Sequence, residues 1–342
     1  MAQSQVQVLV AGVGRMGTFH ARTLAGRVPG ARVVAVADAD RERARAMAGE
    51  LGVAAHADME EALARSGASA VVIATPSATH AEWVEASARA GLAIFCEKPL
   101  GTDLASASRA LATVESAGAT LQIGYQRRFD RGFQALRREV AEGRLGQVLM
   151  VRSSSRDPEL SPMSYLRGAG GIFQDQMIHD IDILRYLKGR EIVEVYATGG
   201  AFFEPELATF GDVDTAAITV RFDDGTLGLA DASRKSGYGH DISAEVFGST
   251  GSAKLDAAKE RPITVFGPPG ANWKLPYWFL ERFAEAYERE LVAFAAVARG
   301  DGAPLATGRD GLLDMLVADA ATRSLKSGRP ETVSAIPTAA GA

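Results

Sequence analysis

Residues 6–17 read Val6-Gln7-Val8-Leu9-Val10-Ala11-Gly12-Val13-Gly14-Arg15-Met16-Gly17. An apolar run passes straight into GxGxxG, and Met16–Ala25, which begins inside that motif, has helical spacing. In that setting the first glycine permits a tight turn and the second lets backbone approach a pyrophosphate. The third packs the helix on the strand. The helix N-terminus adds attraction for the anion. The competing reading is a plain glycine-rich turn, and the strand before it and the helix after it weigh against that.

The same alternation continues outward. Apolar runs at Val6–Ala11, Val33–Ala37, Ala70–Ala74, Ala93–Cys96 and Leu121–Gly124 are separated by amphipathic segments at Met16–Ala25, Arg41–Leu51, Glu60–Arg65, Ala81–Ala90 and Leu104–Ala117. Near-continuous apolar strands alternating with helices indicate a doubly wound parallel sheet covered on both faces. Gly91 and Gly118 fall where helices end. After about Tyr125 the texture changes. A helix at Phe129–Ala141, a strand at Gln147–Ser155 and a helix at Gln174–Leu187 precede a run of strands. These are Ile192–Thr198, Thr215–Phe222, Thr226–Ala232, Ser243–Gly248, Ala253–Leu255 and Ile263–Phe266. Asp224-Gly225 between two of them signals a hairpin. Successive strands without intervening helices predict a mostly antiparallel sheet. Helices at Leu280–Ala298 and Gly311–Ser327 close the chain, and Pro330 with the Ala/Gly-rich end predicts a frayed tail. The expected fold is therefore α/β: a Rossmann domain over residues 1–126, then an α+β domain with a large, open antiparallel sheet over 127–342. The last helices are free to pack on either.

The 342 residues suit two domains, and 47% hydrophobic content supports a sizeable core. A net charge of −5 disfavours nucleic acid as partner. The basic pairs Arg127–Arg128 and Arg137–Arg138 read as solvated helix faces or an anion contact. The single cysteine, Cys96, excludes an internal disulfide and sits in an apolar run, as a buried thiol would. The N-terminus lacks the basic start of a signal peptide, and no apolar stretch reaches membrane-spanning length. These features predict a cytoplasmic protein without a membrane partner.

Asp38 follows the second apolar run about 20 residues past Gly17, where a carboxylate holds the ribose 2′-hydroxyl of NAD and repels the phosphate of NADP. Capping of the next helix is its other reading, shared with Asp40. Thr75-Pro76 lies at a strand end facing the ligand crevice of such sheets. His80 begins the next helix, as a capping residue or a cofactor contact. Glu97-Lys98-Pro99 again follows a strand. Removing hydride from an alcohol carbon requires a base for the hydroxyl proton and a cation for the developing alkoxide. Asp175 and His179 are four residues apart in GGIFQDQMIHDIDIL (170–184), at the spacing of one helical face. Two assignments are compatible. Either His179 is the base, oriented by Asp175 with Lys98 as the cation, or burial makes Lys98 the base. No third ligand beside His179-Asp180 suggests a metal.

Taken in order, Gly12-Val13-Gly14-Arg15-Met16-Gly17, Thr75-Pro76-Ser77-Ala78-Thr79-His80, Glu97-Lys98-Pro99, Tyr125-Gln126-Arg127-Arg128-Phe129 and Gly170 to Asp182 resemble the glucose–fructose oxidoreductase/inositol dehydrogenase/MocA family. Ser233 to Asp241 and Tyr277 to Tyr287 resemble its inositol 2-dehydrogenase branch. The resemblance spans nearly the whole chain. It implies Lys98, Asp175 and His179 as catalytic residues. It implies NAD contacts from Gly12, Gly14, Arg15, Met16, Gly17, Asp38, Thr75, Pro76, His80, Glu97 and Lys98. Asp157 and Tyr238 resemble polyol-binding positions, while His240 stands where that branch often has tyrosine. Arg127, Gln174, Asp175, His179 and His240, with Lys98, complete a polar set able to surround hydroxyls. The implied reaction is NAD-dependent oxidation of a secondary ring alcohol, myo-inositol to 2-keto-myo-inositol, by a homotetramer. Scyllo-inositol or pyranose/anhydrosugar dehydrogenases are the alternatives, with a non-catalytic NAD sensor as the reading from another class.

Overall fold

The computed structural model describes residues 5–260, 264–267 and 270–336, with side chains omitted for 265–267 and 270–272. The chain forms two compact units. One comprises residues 5–126 and Glu285–Leu313, the other Arg127–Ala284 and 314–335.

The first unit opens with β1 (Val6–Ala11), α1 (Arg15–Arg27), β2 (Ala31–Ala37), α2 (Arg41–Leu51), β3 (Ala54–His56) and α3 (Met59–Arg65). It continues with β4 (Ala70–Ile73), α4 (His80–Arg89), β5 (Ala93–Glu97), α5 (Leu104–Ala117) and β6 (Leu121–Gly124). All six strands run parallel in the order β3-β2-β1-β4-β5-β6. That is the doubly wound order, with its switch point between β1 and β4. Every residue of β4 is buried, as a strand covered on both faces requires. Aspartates start the helices: Asp40, Asp58 and Asp103 accept first-turn amides of α2, α3 and α5. The three-residue edge strand β3 is too short to leave a periodic signature, and the sequence does not announce it. Cys96 is buried on β5, its thiol 3.3 Å from the Glu97 carbonyl, and burial pushes the thiol well above its ordinary pKa.

The second unit contains α6 (Arg131–Ala141), β7 (Val148–Arg156), α7 (Met163–Leu166), α8 (Ile172–Asp175), α9 (Ile178–Lys188), β8 (Ile192–Gly200) and β9 (Thr215–Phe222). Then come β10 (Leu227–Ser233), β11 (Asp241–Gly248), β12 (Ser252–Leu255), β13 (Val265–Gly267), β14 (Gly270–Asn272) and α10 (Phe279–Arg282). The long helices α11 (Ala284–Ala298) and α12 (Gly308–Ser327) and the short β15 (Glu331–Thr332) finish the chain. Seven strands form a sheet in the order β12-β11-β7-β10-β9-β8-β15. All its pairings are antiparallel except β7 with β10, which run parallel. Along β9 burial alternates residue by residue, so the sheet has one covered and one exposed face. α6 and α9 pack against this sheet.

Three expectations are revised, and the packing of α11, left open by the sequence, is resolved. The helix expected at Gln174–Leu187 is two pieces, because Gln176 Nε2 donates to the Ser233 carbonyl (3.0 Å) and Met177 N bonds back five residues to Ile172 O (2.8 Å). The helix expected at Leu280–Ala298 breaks at Phe283, a residue 1% exposed in the core. α11 returns to the first unit, where Leu291, Phe294 and Ala295 join Val8, Val36 and Phe95 in one apolar cluster. Glu331–Thr332, placed in the frayed tail by the sequence, adds an edge strand to β8. The rest of that tail, 337–342, lies outside the described residues, as does Ile263 at the start of one expected strand.

Candidate active site

In the first unit the switch point between β1 and β4 opens a cavity of about 470 Å³. Gly12, Gly14, Asp38, Thr75 and Pro76 line it, with Arg43 at its edge. A side chain at Gly17 would collide with the Gly12 carbonyl, so the third glycine allows α1 its close approach. At Gly14 an added Cβ would meet only the Arg43 guanidinium, 3.9 Å away, which leaves this backbone open to a ligand. Arg15, exposed, and Met16, half-buried, begin α1 beside it. Asp38 Oδ2 accepts the Val13 amide (2.8 Å) and Oδ1 the Asp40 amide (2.9 Å). Asp38 therefore ties the glycine loop to the end of β2, and Asp40 is the cap of α2, accepting from Glu42 N and Arg43 N. Arg43 bridges both, 3.5 Å from Asp38 and 3.1 Å from Asp40. Open backbone amides, a helix N-terminus and a carboxylate at the next strand end are the set a dinucleotide requires, and these residues fit one.

Two other residues expected at the cofactor, His80 and Glu97, also bond within the protein. His80 is 2% exposed, with Nδ1 2.7 Å from the Pro99 carbonyl and Nε2 2.9 Å from the Thr75 carbonyl. Burial pushes its imidazole below the ordinary value while both carbonyls pull it upward. Its ring joins the segments after β4 and β5 rather than capping α4. Glu97 meets His20 of α1: His20 Nε2 lies 2.6 Å from Glu97 Oε1, with the histidine ring fully buried. Phe95 and Tyr287 meet that ring edge-on. Lys98 follows directly and is half-buried.

In the second unit the sequence Gly170-Gly171 turns with positive φ at both residues (+83°), a conformation open to glycine. It delivers the single-turn helix α8. Asp175, its last residue, accepts from Tyr165 Oη (2.7 Å) and from Arg234 (2.7 Å). Arg234 also reaches Asp212 (3.2 Å), and Asp212 accepts the Ile172 amide that starts α8 (2.9 Å). His179, half-buried, stands in the first turn of α9. Gln174 lies in α8, against Gly170. Asp157 and His240 are neighbours, with Oδ1 and Nδ1 3.1 Å apart, and His240 is 4% exposed. Neither ring nitrogen of His240 has a hydrogen-bond partner of good geometry among the described residues. Tyr238 is exposed and donates to Asp241 (2.9 Å).

Arg127 is a correction. It is 3% exposed, and it donates to Asp180 (2.7 Å) and Ser155 (2.9 Å). Asp180 also accepts from Ser153 and Ser155. Arg128 pairs with Asp182 in the same way (2.6 Å). The basic pair that reads as a solvated face instead anchors α9 through two buried ion pairs, because burial requires each guanidinium to find a carboxylate.

Sequence reasoning misses His20, Tyr165, Asp212 and Arg234. Arg234 sits 59 residues from its partner Asp175, so no local spacing links them. Only its place at the end of an alternating strand, where a charge turns inward, gives a signal.

Residues 6–125 match the oxidoreductase family with an NAD-binding Rossmann fold, and residues 133–254 match the GFO/IDH/MocA C-terminal domain. Myo-inositol 2-dehydrogenase of Thermotoga maritima is 38% identical over 95% of this chain and 97% of its own. Scyllo-inositol 2-dehydrogenase (NAD(+)) of Bacillus subtilis is 38% identical over 96% of each chain. The scyllo-inositol dehydrogenase of Lactobacillus casei, solved with bound NAD(H) and scyllo-inositol, superposes with a TM-score of 0.92. It is 27% identical, with 97% of this chain and 100% of that one covered. With its glycine-loop cavity, its doubly wound order and relatives along nearly its full length, the chain belongs to the GFO/IDH/MocA family of NAD-binding oxidoreductases.

Proposed function

We propose that the protein is an NAD-dependent dehydrogenase of cyclic polyols that oxidises a secondary ring alcohol to a ketone, with myo-inositol to 2-keto-myo-inositol as the leading reaction. The observation that carries this reading is the dinucleotide cavity of the first unit, in a chain whose second unit holds Asp175, paired with Arg234, four residues before His179. Polyol-type relatives support the substrate class.

NAD, when bound, supplies the hydride acceptor. His179 takes the hydroxyl proton, and Asp175 orients its ring and balances the imidazolium charge. Lys98 stabilises the oxygen as it becomes anionic. Asp157, Gln174, Tyr238 and His240 donate to and accept from the remaining hydroxyls. A site built this way rejects analogues lacking those hydroxyls. Asp38 selects NAD by holding the ribose diol, with Arg15, Met16, Thr75, Pro76 and Glu97 around the cofactor. His80 serves the cofactor indirectly, by fixing the Thr75 carbonyl. Assembly as a homotetramer through the uncovered face of the seven-stranded sheet, and a cytoplasmic location, complete the reading.

His179→Ala is expected to reduce turnover at least 1,000-fold, the scale of a lost base with its oriented partner, while NAD affinity persists. The test follows absorbance at 340 nm with myo-inositol, scyllo-inositol and a panel of monosaccharides, alongside NAD titration by calorimetry. Near-normal turnover of the variant sinks the role of His179. A wild-type protein that binds NAD but oxidises none of the panel sinks the dehydrogenase.

A further inference from the structure

The contacts around α8 close on themselves. Its first amide, Ile172 N, donates to Asp212 Oδ1 at 2.9 Å. Asp212 Oδ2 accepts from Arg234 at 3.2 Å, and the other end of the same guanidinium donates to Asp175 Oδ2, at the last residue of α8, at 2.7 Å. A four-residue helix is thus tied at both ends to one buried arginine, its start through Asp212 and its last residue directly. The side chains of Arg234 and Asp212 are each 4% exposed, and that of Asp175 is 13% exposed. The arginine is held in turn: its amide donates to the Asp214 carbonyl (2.8 Å), while the Val213 amide fixes Asp212 (2.8 Å). Tyr165 from α7 donates to the remaining oxygen, Asp175 Oδ1, at 2.7 Å.

An isolated four-residue helix has no stability of its own. Without these contacts the Asp175 carboxylate has several rotamers, and α8, whose end leads through Gln176 and Met177 into the turn that carries His179, loses its anchor. A guanidinium fork meets two carboxylates at fixed angles, which an ammonium cannot do. We infer that Arg234 is a positioning residue: it bridges Asp212 and Asp175, sets the side-chain orientation of Asp175 and thereby aligns His179 for proton transfer. This rests on the dehydrogenase reading above. Arg234 itself touches neither substrate nor cofactor in this scheme.

Arg234→Lys keeps the charge and removes the fork. With myo-inositol and NAD it is expected to lower kcat about 30-fold, within the cost of a misplacement near 1 Å, while KM for NAD stays within twofold. The deuterium isotope effect on kcat, measured with substrate labelled at the oxidised carbon, rises because chemistry becomes slower than product release. Tyr165→Phe removes the other hold at an exposed residue, and lowers kcat about threefold with the same unchanged KM for NAD. Should Arg234→Lys fail to fold, Tyr165→Phe decides alone. An active wild type whose variants keep kcat within twofold overturns the assignment of Arg234. So do variants that lose kcat and NAD affinity together, in step with a fall in melting temperature. A wild type inactive on every inositol and sugar overturns the function and this assignment with it.

Discussion

Asp38 and Asp175 are both carboxylates fixed before any ligand arrives, yet the two units fix them by different means. Asp38 is held by backbone: the amides of Val13 and Asp40 donate to its two oxygens, and both lie close to elements of one βαβ unit. Asp175 is held by side chains: a tyrosine from α7 and an arginine from the end of β10. Backbone donors are supplied by any residue that keeps the fold, so the first arrangement tolerates sequence change around it. Side-chain donors are specific to their residues, so the second is easily lost and can be shaped to one substrate. A shared cofactor and a variable substrate call for that division.

The largest effect is expected from Asp180→Ala, which attacks the side-chain logic at its most buried point. It strips Arg127, Ser153 and Ser155 of their acceptor and leaves a guanidinium 3% exposed with its main partner gone. Removing one member of a buried pair costs about 3–5 kcal/mol, so urea unfolding is expected to show a loss of that size. A loss under about 1 kcal/mol would mean that these ion pairs are not what anchors α9.

Asp38→Ala tests the backbone logic instead. It frees the Val13 amide and removes repulsion toward a ribose phosphate, while Arg43, 3.5 Å from Asp38, stays to greet that phosphate. KM for NAD is expected to rise about 10-fold, equivalent to about 1.4 kcal/mol, and the preference for NAD over NADP to fall by at least as much. Steady-state kinetics with both cofactors measure it. Unchanged preference would remove Asp38 from cofactor selection.

Asp224→Ala, in the β9–β10 turn, is the smallest and shows a contact of purely local worth. Its carboxyl is lowered from 3.8 to about 2, chiefly by the Thr226 hydroxyl (2.5 Å) and further by Lys188 (2.9 Å). The folded pKa lies below the unfolded one, so the stabilisation is present above about pH 4 and is lost as pH falls toward 2. The variant is expected to be less stable by about 1 kcal/mol at pH 7 and to converge with wild type near pH 2 in thermal melts. A difference that persists at pH 2 would place its cause elsewhere.

The same division explains what could be read from the chain. The apolar runs at Val6–Ala11 and Leu121–Gly124 and the helices at Arg41–Leu51 and Leu104–Ala117 are found where the sequence places them, because local periodicity and caps determine them. The glycine loop and Asp38 are legible for the same reason: their partners are near in sequence. The break between α8 and α9 is not legible, since its cause is a bond from Gln176 to Ser233, 57 residues on. Arg127 and Arg128 mislead because charge alone suggests solvent, while their partners Asp180 and Asp182 lie more than fifty residues away. Arg234 and His20 stay hidden because an ion pair between distant elements leaves no pattern in either segment.

Cys96 has a practical consequence. It is the chain's single thiol, it is buried on β5, and burial keeps it protonated at neutral pH. Alkylating and maleimide reagents attack the thiolate, so they pass this residue by. The native protein is therefore its own blank for spectroscopic labelling. A cysteine introduced at any exposed site becomes the sole attachment point for a fluorophore or spin label, with no need to engineer the core first.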